Sequence, residues 1–126
     1  MGIYADQMEQ IFLDGYLECA LWSSIDNATG EPLDENHGMD DIDPQTLEDL
    51  KREALQFFND NIELINDTPD GYSYGHAGHD LWLTRNGHGA GFWDGDAGRS
   101  GDALTSKAEA LGEIDLYIGD DGLIYK

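Results

Sequence analysis

Fifty residues pass before this chain places its first fixed positive charge, at Lys51. Over all 126 residues, 27 Asp and Glu face only 6 Lys and Arg, for a formal net charge of −21. Self-repulsion on that scale opposes compaction, so the chain needs a well-filled core and an exterior that spreads its carboxylates into water. The same charge argues against nucleic acid and anionic membranes as direct partners, because both require cations to meet phosphate. A partner suited to this surface is basic: a nucleic-acid-binding protein, a cationic peptide or a metal ion. The competing reading is an acid-rich exterior that serves solubility alone.

The length corresponds to a single domain spanning 1–126. Cys19 is the only cysteine, which rules out an intrachain disulfide. The opening MGIYADQMEQ lacks the basic and apolar regions of a signal peptide. No apolar run approaches the roughly 20 residues of a membrane span. The expectation is a cytoplasmic protein, with no cofactor implied.

Local patterns predict an α+β fold. Asp6 and Glu9 have capping-box spacing, and a broad apolar stripe from Gln7 to Ser23 predicts a central helix. An acidic loop follows at about 24–43, rich in turn formers and pinned at Leu33 or Met39. Asp43-Pro44 is a strong helix start, and apolar spacing carries that helix to about Ile65, with Glu48 and Arg52 as a supportive i,i+4 pair. Between LWLTR and HGAGFWD, Asn86-Gly87 predicts a β-hairpin over 79–94. Its register pairs Arg85 with His88, Leu83 with Ala90, Leu81 with Phe92 and His79 with Asp94. Trp82 and Trp93 then share a face. Asp102 is placed to cap a short helix over 103–111, and a second hairpin joins 114–118 to 123–125. Two N-terminal helices, a hairpin, a short helix and a C-terminal hairpin together predict a small antiparallel sheet with helices on one face.

Chemical signatures are sparse. His79, His88 and Asp94 are weak candidate metal ligands, with His76 nearby, but their spacing matches no closed zinc motif. Asp94, Asp96, Ser100 and Asp102 have the cadence of a calcium loop without its glycine and terminal glutamate. His79 beside Asp80 or Asp94 could do acid–base work, yet no nucleophile motif stands near. Cys19 lies on an apolar helix face and reads as a buried small residue. Catalysis is therefore disfavoured, and no catalytic residue is assigned.

Four stretches carry a resemblance: IFLDGYLECALWSS (Ile11 to Ser24), PLDEN (Pro32 to Asn36), GHDLWLTRNGHGAGFWD (Gly78 to Asp94) and DLYIGDDGLIY (Asp115 to Tyr125). They resemble a family of small acidic proteins encoded by bacteriophages and plasmids. The resemblance implies a mobile-element source and carries over no catalytic residue. This chain departs from the pattern after Asp94, where Gly95-Asp96 stand in place of an expected basic residue.

With that source, the charge suggests imitation of DNA, which presents about one charge per 1.7 Å of axis. Asp26, Glu31, Asp34, Glu35, Asp40, Asp41, Asp43, Glu48 and Asp49 would form the row of carboxylates. The expected function is binding, and inhibiting or modulating, a basic host protein that processes nucleic acid or acts in defence. Two alternatives stand beside it: an adaptor that reads its partner with the Trp82/Trp93 hairpin, and a small metal-dependent enzyme.

Overall fold

The computed structural model describes residues 2–87 and 90–126, with side chains from Gln7 onward in the first helix. That helix, α1, runs Gly2–Ser23 and so begins ahead of the expected Gln7, which places Asp6 inside the helix instead of at its cap. Phe12, Leu13, Tyr16, Leu17, Cys19, Ala20 and Leu21 are all buried, on more than one side of the cylinder. The breadth of the apolar stripe has this physical meaning: α1 is covered by other elements on several flanks.

The acidic stretch after α1 is folded. Ile25 bridges Pro32, and two short 3₁₀ turns follow at Leu33–Glu35 and Met39–Asp41. Leu33 and Ile42 are buried and Met39 half-buried, so the segment is pinned to the core by isolated apolar residues. Ile42 also makes a parallel bridge to Ile124, and the Asp43 N–H donates to the Ile124 carbonyl at 2.9 Å. Helix α2, Pro44–Asp60, starts as its sequence indicates, with the Thr46 N–H donating to Asp43 Oδ2 at 3.0 Å. It ends earlier than expected. Buried Asn61 donates its side-chain amide to the Phe57 carbonyl at 2.9 Å, and a separate helix α3 occupies Ile62–Asn66.

The largest correction concerns 79–94. The segment is not a hairpin: Tyr74–Arg85 is a helix, α4, capped by Ser73, whose Oγ accepts from the His76 N–H at 3.0 Å. Asn86-Gly87 ends this helix, with Gly87 at φ +70° and its N–H donating to the Thr84 carbonyl. An Asn-Gly pair suits a left-handed helix terminus as well as a tight hairpin turn, which is why the signal misleads. Residues 92–94 form a 3₁₀ turn, so the expected register across 79–94 does not exist, and His88 lies outside the described residues.

Packing against α1 decides the matter. A Cβ on Gly78 would run into the backbone of Phe12 and Tyr16, and one on Gly15 into that of Gly75, so the two helices cross with their backbones in contact. The crossing buries Leu81 and Trp82 almost completely. An indole of roughly 200 Å² contributes roughly 5 kcal/mol of transfer free energy, against a strand-propensity scale spanning only about 1 kcal/mol.

Downstream, Phe92 is buried, and its N–H donates to Thr84 Oγ1 at 3.0 Å. A 3₁₀ turn at Gly98–Ser100 leads into α5, Gly101–Glu109, so Asp102 sits within the first turn and does not cap it. Strands β1 (Tyr117–Ile118) and β2 (Ile124–Tyr125) pair antiparallel, Tyr117 with Tyr125 and Ile118 with Ile124. Among the described residues this two-stranded ladder is the only sheet, and five α-helices dominate. The expected arrangement of helices on a sheet fed by two hairpins is thereby overturned.

Candidate functional site

Two groups of side chains stand out, one on the surface and one beneath it. The first is the acidic ledge from Asp26 to Asp49. Several of its carboxylates shape the ledge itself. Asp26 Oδ1 accepts from the Ala28 N–H at 2.9 Å, Asp41 Oδ2 from the Gly38 N–H at 2.9 Å, and Asp43 from Thr46. Asp49 accepts from the Gln45 amide and from Arg52, with Lys126 3.8 Å away, and these bonds hold its carboxyl below the usual range. Arg52 therefore pairs with Asp49, not with the expected Glu48.

Glu31, Asp34, Glu35, Asp40 and Glu48 are exposed, and among the described residues their carboxylates have no hydrogen bond or ion pair. Between residues 26 and 43 no carboxylate meets a Lys or Arg within the described structure. The 26–43 segment thus presents four unpaired charges, and α2 adds Glu48.

The tryptophans separate. Trp82 faces the core at 1% exposure, while Trp93 in the 92–94 turn is 51% exposed. They share no face, so the two-indole recognition surface expected of a hairpin is not formed.

The second group is built by α4 and the turns either side of it. Asp80 is buried, and its Oδ2 accepts from the Tyr72 hydroxyl at 2.6 Å. His76, one turn earlier, places Nε2 3.5 Å from that oxygen and 3.6 Å from Asp96 Oδ2. The His76 ring also lies against Tyr72, centroids 4.4 Å apart. Burial pushes the Asp80 carboxyl up to about 6, helped by Asp94 and Asp96 and opposed by the Tyr72 bond and His76. Burial and the bond to Asp80 drive the Tyr72 hydroxyl well above its ordinary value.

Sequence reasoning placed its histidine chemistry at His79, three residues further along α4. His76 and Asp80 are four residues apart, adjacent on a helix and unremarkable on a strand, so the mistaken hairpin hid them. Asp94 serves its own turn, its Oδ1 accepting from the Asp96 N–H at 3.2 Å. His79 is half-buried on α4, and no ion pair joins it to Asp94 among the described residues. Within those residues no set of three His, Cys, Asp or Glu side chains is arranged to hold a metal ion. Cys19 is buried, its thiol pushed up to about 12 by desolvation and by Asp80.

Arg85, expected from sequence to pair with His88 across a hairpin, is instead a buried tie. It donates to the carbonyls of Gly112 at 2.7 Å and Leu111 at 3.0 Å, to Tyr16 Oη at 3.1 Å and to Glu53 Oε1 at 2.8 Å. One guanidinium thereby joins α1, α2, α4 and the segment after α5.

No described protein family, curated protein or solved structure matches the chain. No helix among the described residues is long and apolar enough to cross a membrane.

Proposed function

We propose that this protein binds a basic partner through its 26–49 ledge and inhibits or modulates it, partly by standing in for DNA phosphates. The observation that carries the reading is the set of five exposed carboxylates unpaired among the described residues, Glu31, Asp34, Glu35 and Asp40 on the 26–43 segment and Glu48 on α2. A charge array already in place steers a cationic surface into encounter and loses little entropy on binding. Extended cationic surfaces are typical of proteins that bind or process nucleic acid. The resemblance to phage and plasmid proteins makes such a host protein, met in the cytoplasm and including defence proteins, the expected target.

The test begins with the protein immobilised in bacterial lysate, eluted by a salt step and its ligands identified by mass spectrometry. Against the captured partner, changing the five carboxylates to Gln or Asn weakens binding at least tenfold, and duplex DNA competes. The same treatment of Asp115, Asp120 and Asp121 has little effect. Equal losses from the two sets would show that net charge alone is at work and would sink the proposal.

A further inference from the structure

One edge of the small sheet is open and borders a cavity. The Gly119 N–H donates to the Leu123 carbonyl at 2.8 Å, so the hydrogen-bonded pairs of the ladder are 119 with 123 and Tyr117 with Tyr125. Ile118 and Ile124 form the intervening pair, whose backbone groups point out of the ladder. On the β2 side that outward set is used, because the Ile124 carbonyl accepts from the Asp43 N–H. On the β1 side, among the described residues, no hydrogen bond reaches the backbone of Leu116 or the outward groups of Ile118. Residues 113–116 lead into β1 without turn or bend. Glu113, Asp115 and Tyr117 are exposed, and Ile114, Leu116 and Ile118 are buried or half-buried, the alternation of a strand. Ile114 shares the outward edge, its N–H donating to Asn86 Oδ1 at 2.8 Å. Asn86 also lines a cavity of about 460 Å³, which has residues 113–117 on one side and Ser24, Ile25 and Asn27 among its other walls. Two of its lining side chains, Ile25 and Tyr117, are 48% and 50% exposed. An unpaired strand edge along a groove is a template for a further strand.

Charge selects the occupant. Glu113 and Asp115 stand exposed along this edge, and among the described residues neither makes a hydrogen bond or an ion pair. A second copy of the chain, itself at −21, is repelled from it. We infer that the groove takes an extended cationic peptide as a third strand, antiparallel to β1, the more stable pairing. Its apolar side chains lie beside Ile114 and Leu116, and its basic ones beside Glu113 and Asp115. Backbone hydrogen bonds to Leu116 and Ile118 supply affinity, while the cross-strand pairs select the alternation. The site uses none of the ledge carboxylates and does not rest on the reading of the ledge.

The probe is a capped hexapeptide of alternating Val and Lys, titrated into the isotopically labelled full chain at constant ionic strength, with no other partner present. Saturable shifts are expected at the Leu116 and Ile118 amides, with slowed exchange of both N–H groups. In the antiparallel register the Val residues turn their N–H groups toward β1. Methylating the Val nitrogens should therefore weaken binding at least tenfold, and methylating the Lys nitrogens, at equal charge, far less. Replacing Lys by Glu in the peptide should abolish binding. Glu113→Gln with Asp115→Asn should lower affinity several-fold, and Asp34→Asn on the ledge should not; all three side chains are exposed and unbonded among the described residues, so the variants fold. Equal affinity of the two methylated peptides, binding of the Glu peptide, shifts that do not saturate, or dimerisation of the protein through this edge would each overturn the proposal. Because the ledge's partner is absent, the result is independent of the ledge's fate.

Discussion

The indole N–H of Trp82 donates to Ser23 Oγ at 2.8 Å, which ties α4 to the last turn of α1. Ser23 Oγ in turn donates to the Cys19 carbonyl at 2.7 Å, so the acceptor is held in place by the helix that carries it. Trp82→Phe removes the bond and part of the buried volume, and about 1–3 kcal/mol of stability should be lost in urea denaturation. Partner binding by the folded fraction should not change. Loss of binding without loss of stability would return this residue to the surface role that a hairpin implies.

The α1–α4 crossing makes a sharper prediction. Gly78→Ala puts a methyl into the backbone of Phe12 and Tyr16, neither of which can move aside, so the variant should lose about 3 kcal/mol or more. Gly75→Ala meets nothing closer than 3.8 Å and should stay within about 1 kcal/mol of the parent. Thermal melts of the two variants, a short distance apart on one helix, would separate a packing requirement from helix propensity.

At Arg85 the expected effect comes mainly from orphaning two carbonyls, because the Glu53 end of its ion pair is 37% exposed. Arg85→Met should cost about 2–4 kcal/mol. Arg85→Lys should recover only part of this, because an ammonium cannot reach Glu53, Tyr16 and two backbone oxygens with one planar fork. Chemical denaturation of both variants checks the order.

For Asp80 the sign follows from burial. Its folded carboxyl is raised to about 6 from an ordinary 3.8, so the folded state binds the proton more tightly than the unfolded chain. The contribution favours folding below the unfolded value and is lost as pH rises through 6. At about 1.4 kcal/mol per pKa unit, wild type should gain about 2–3 kcal/mol relative to Asp80→Asn between pH 7.5 and pH 4. A difference that stays flat across this range would remove Asp80 as the source.

Sequence and structure part company where tertiary packing overrides local preference. The Asp43-Pro44 start of α2 was legible because a cap is a local interaction, satisfied three residues away. The Gly119–Gly122 turn between the short strands was legible for the same reason. Helix α4 was not: Ala77, Gly78, Asp80, Leu81, Trp82, Thr84 and Arg85 are buried around most of its circumference, which erases the apolar periodicity that marks a helix. Gly75 and Gly78 gave no signal in the sequence, whereas both lie where α4 meets α1. Of the candidate sites, the ledge could be read from charge alone. The Asp80 group needed the correct helix before His76, Asp80, Tyr72 and Asp96 became neighbours.

The bridge between Ile42 and Ile124 has a kinetic consequence. It closes one of the widest loops in the chain, and such closure carries an entropy cost that local turns do not. Clamping the ledge onto Ile124 therefore costs more closure entropy than forming its own local turns. Opening of the two short strands would free the Asp43 N–H from the Ile124 carbonyl. Amide exchange at Asp43 should follow that local opening and not global unfolding, so the stiffness of the acidic surface is set by a ladder far away in sequence.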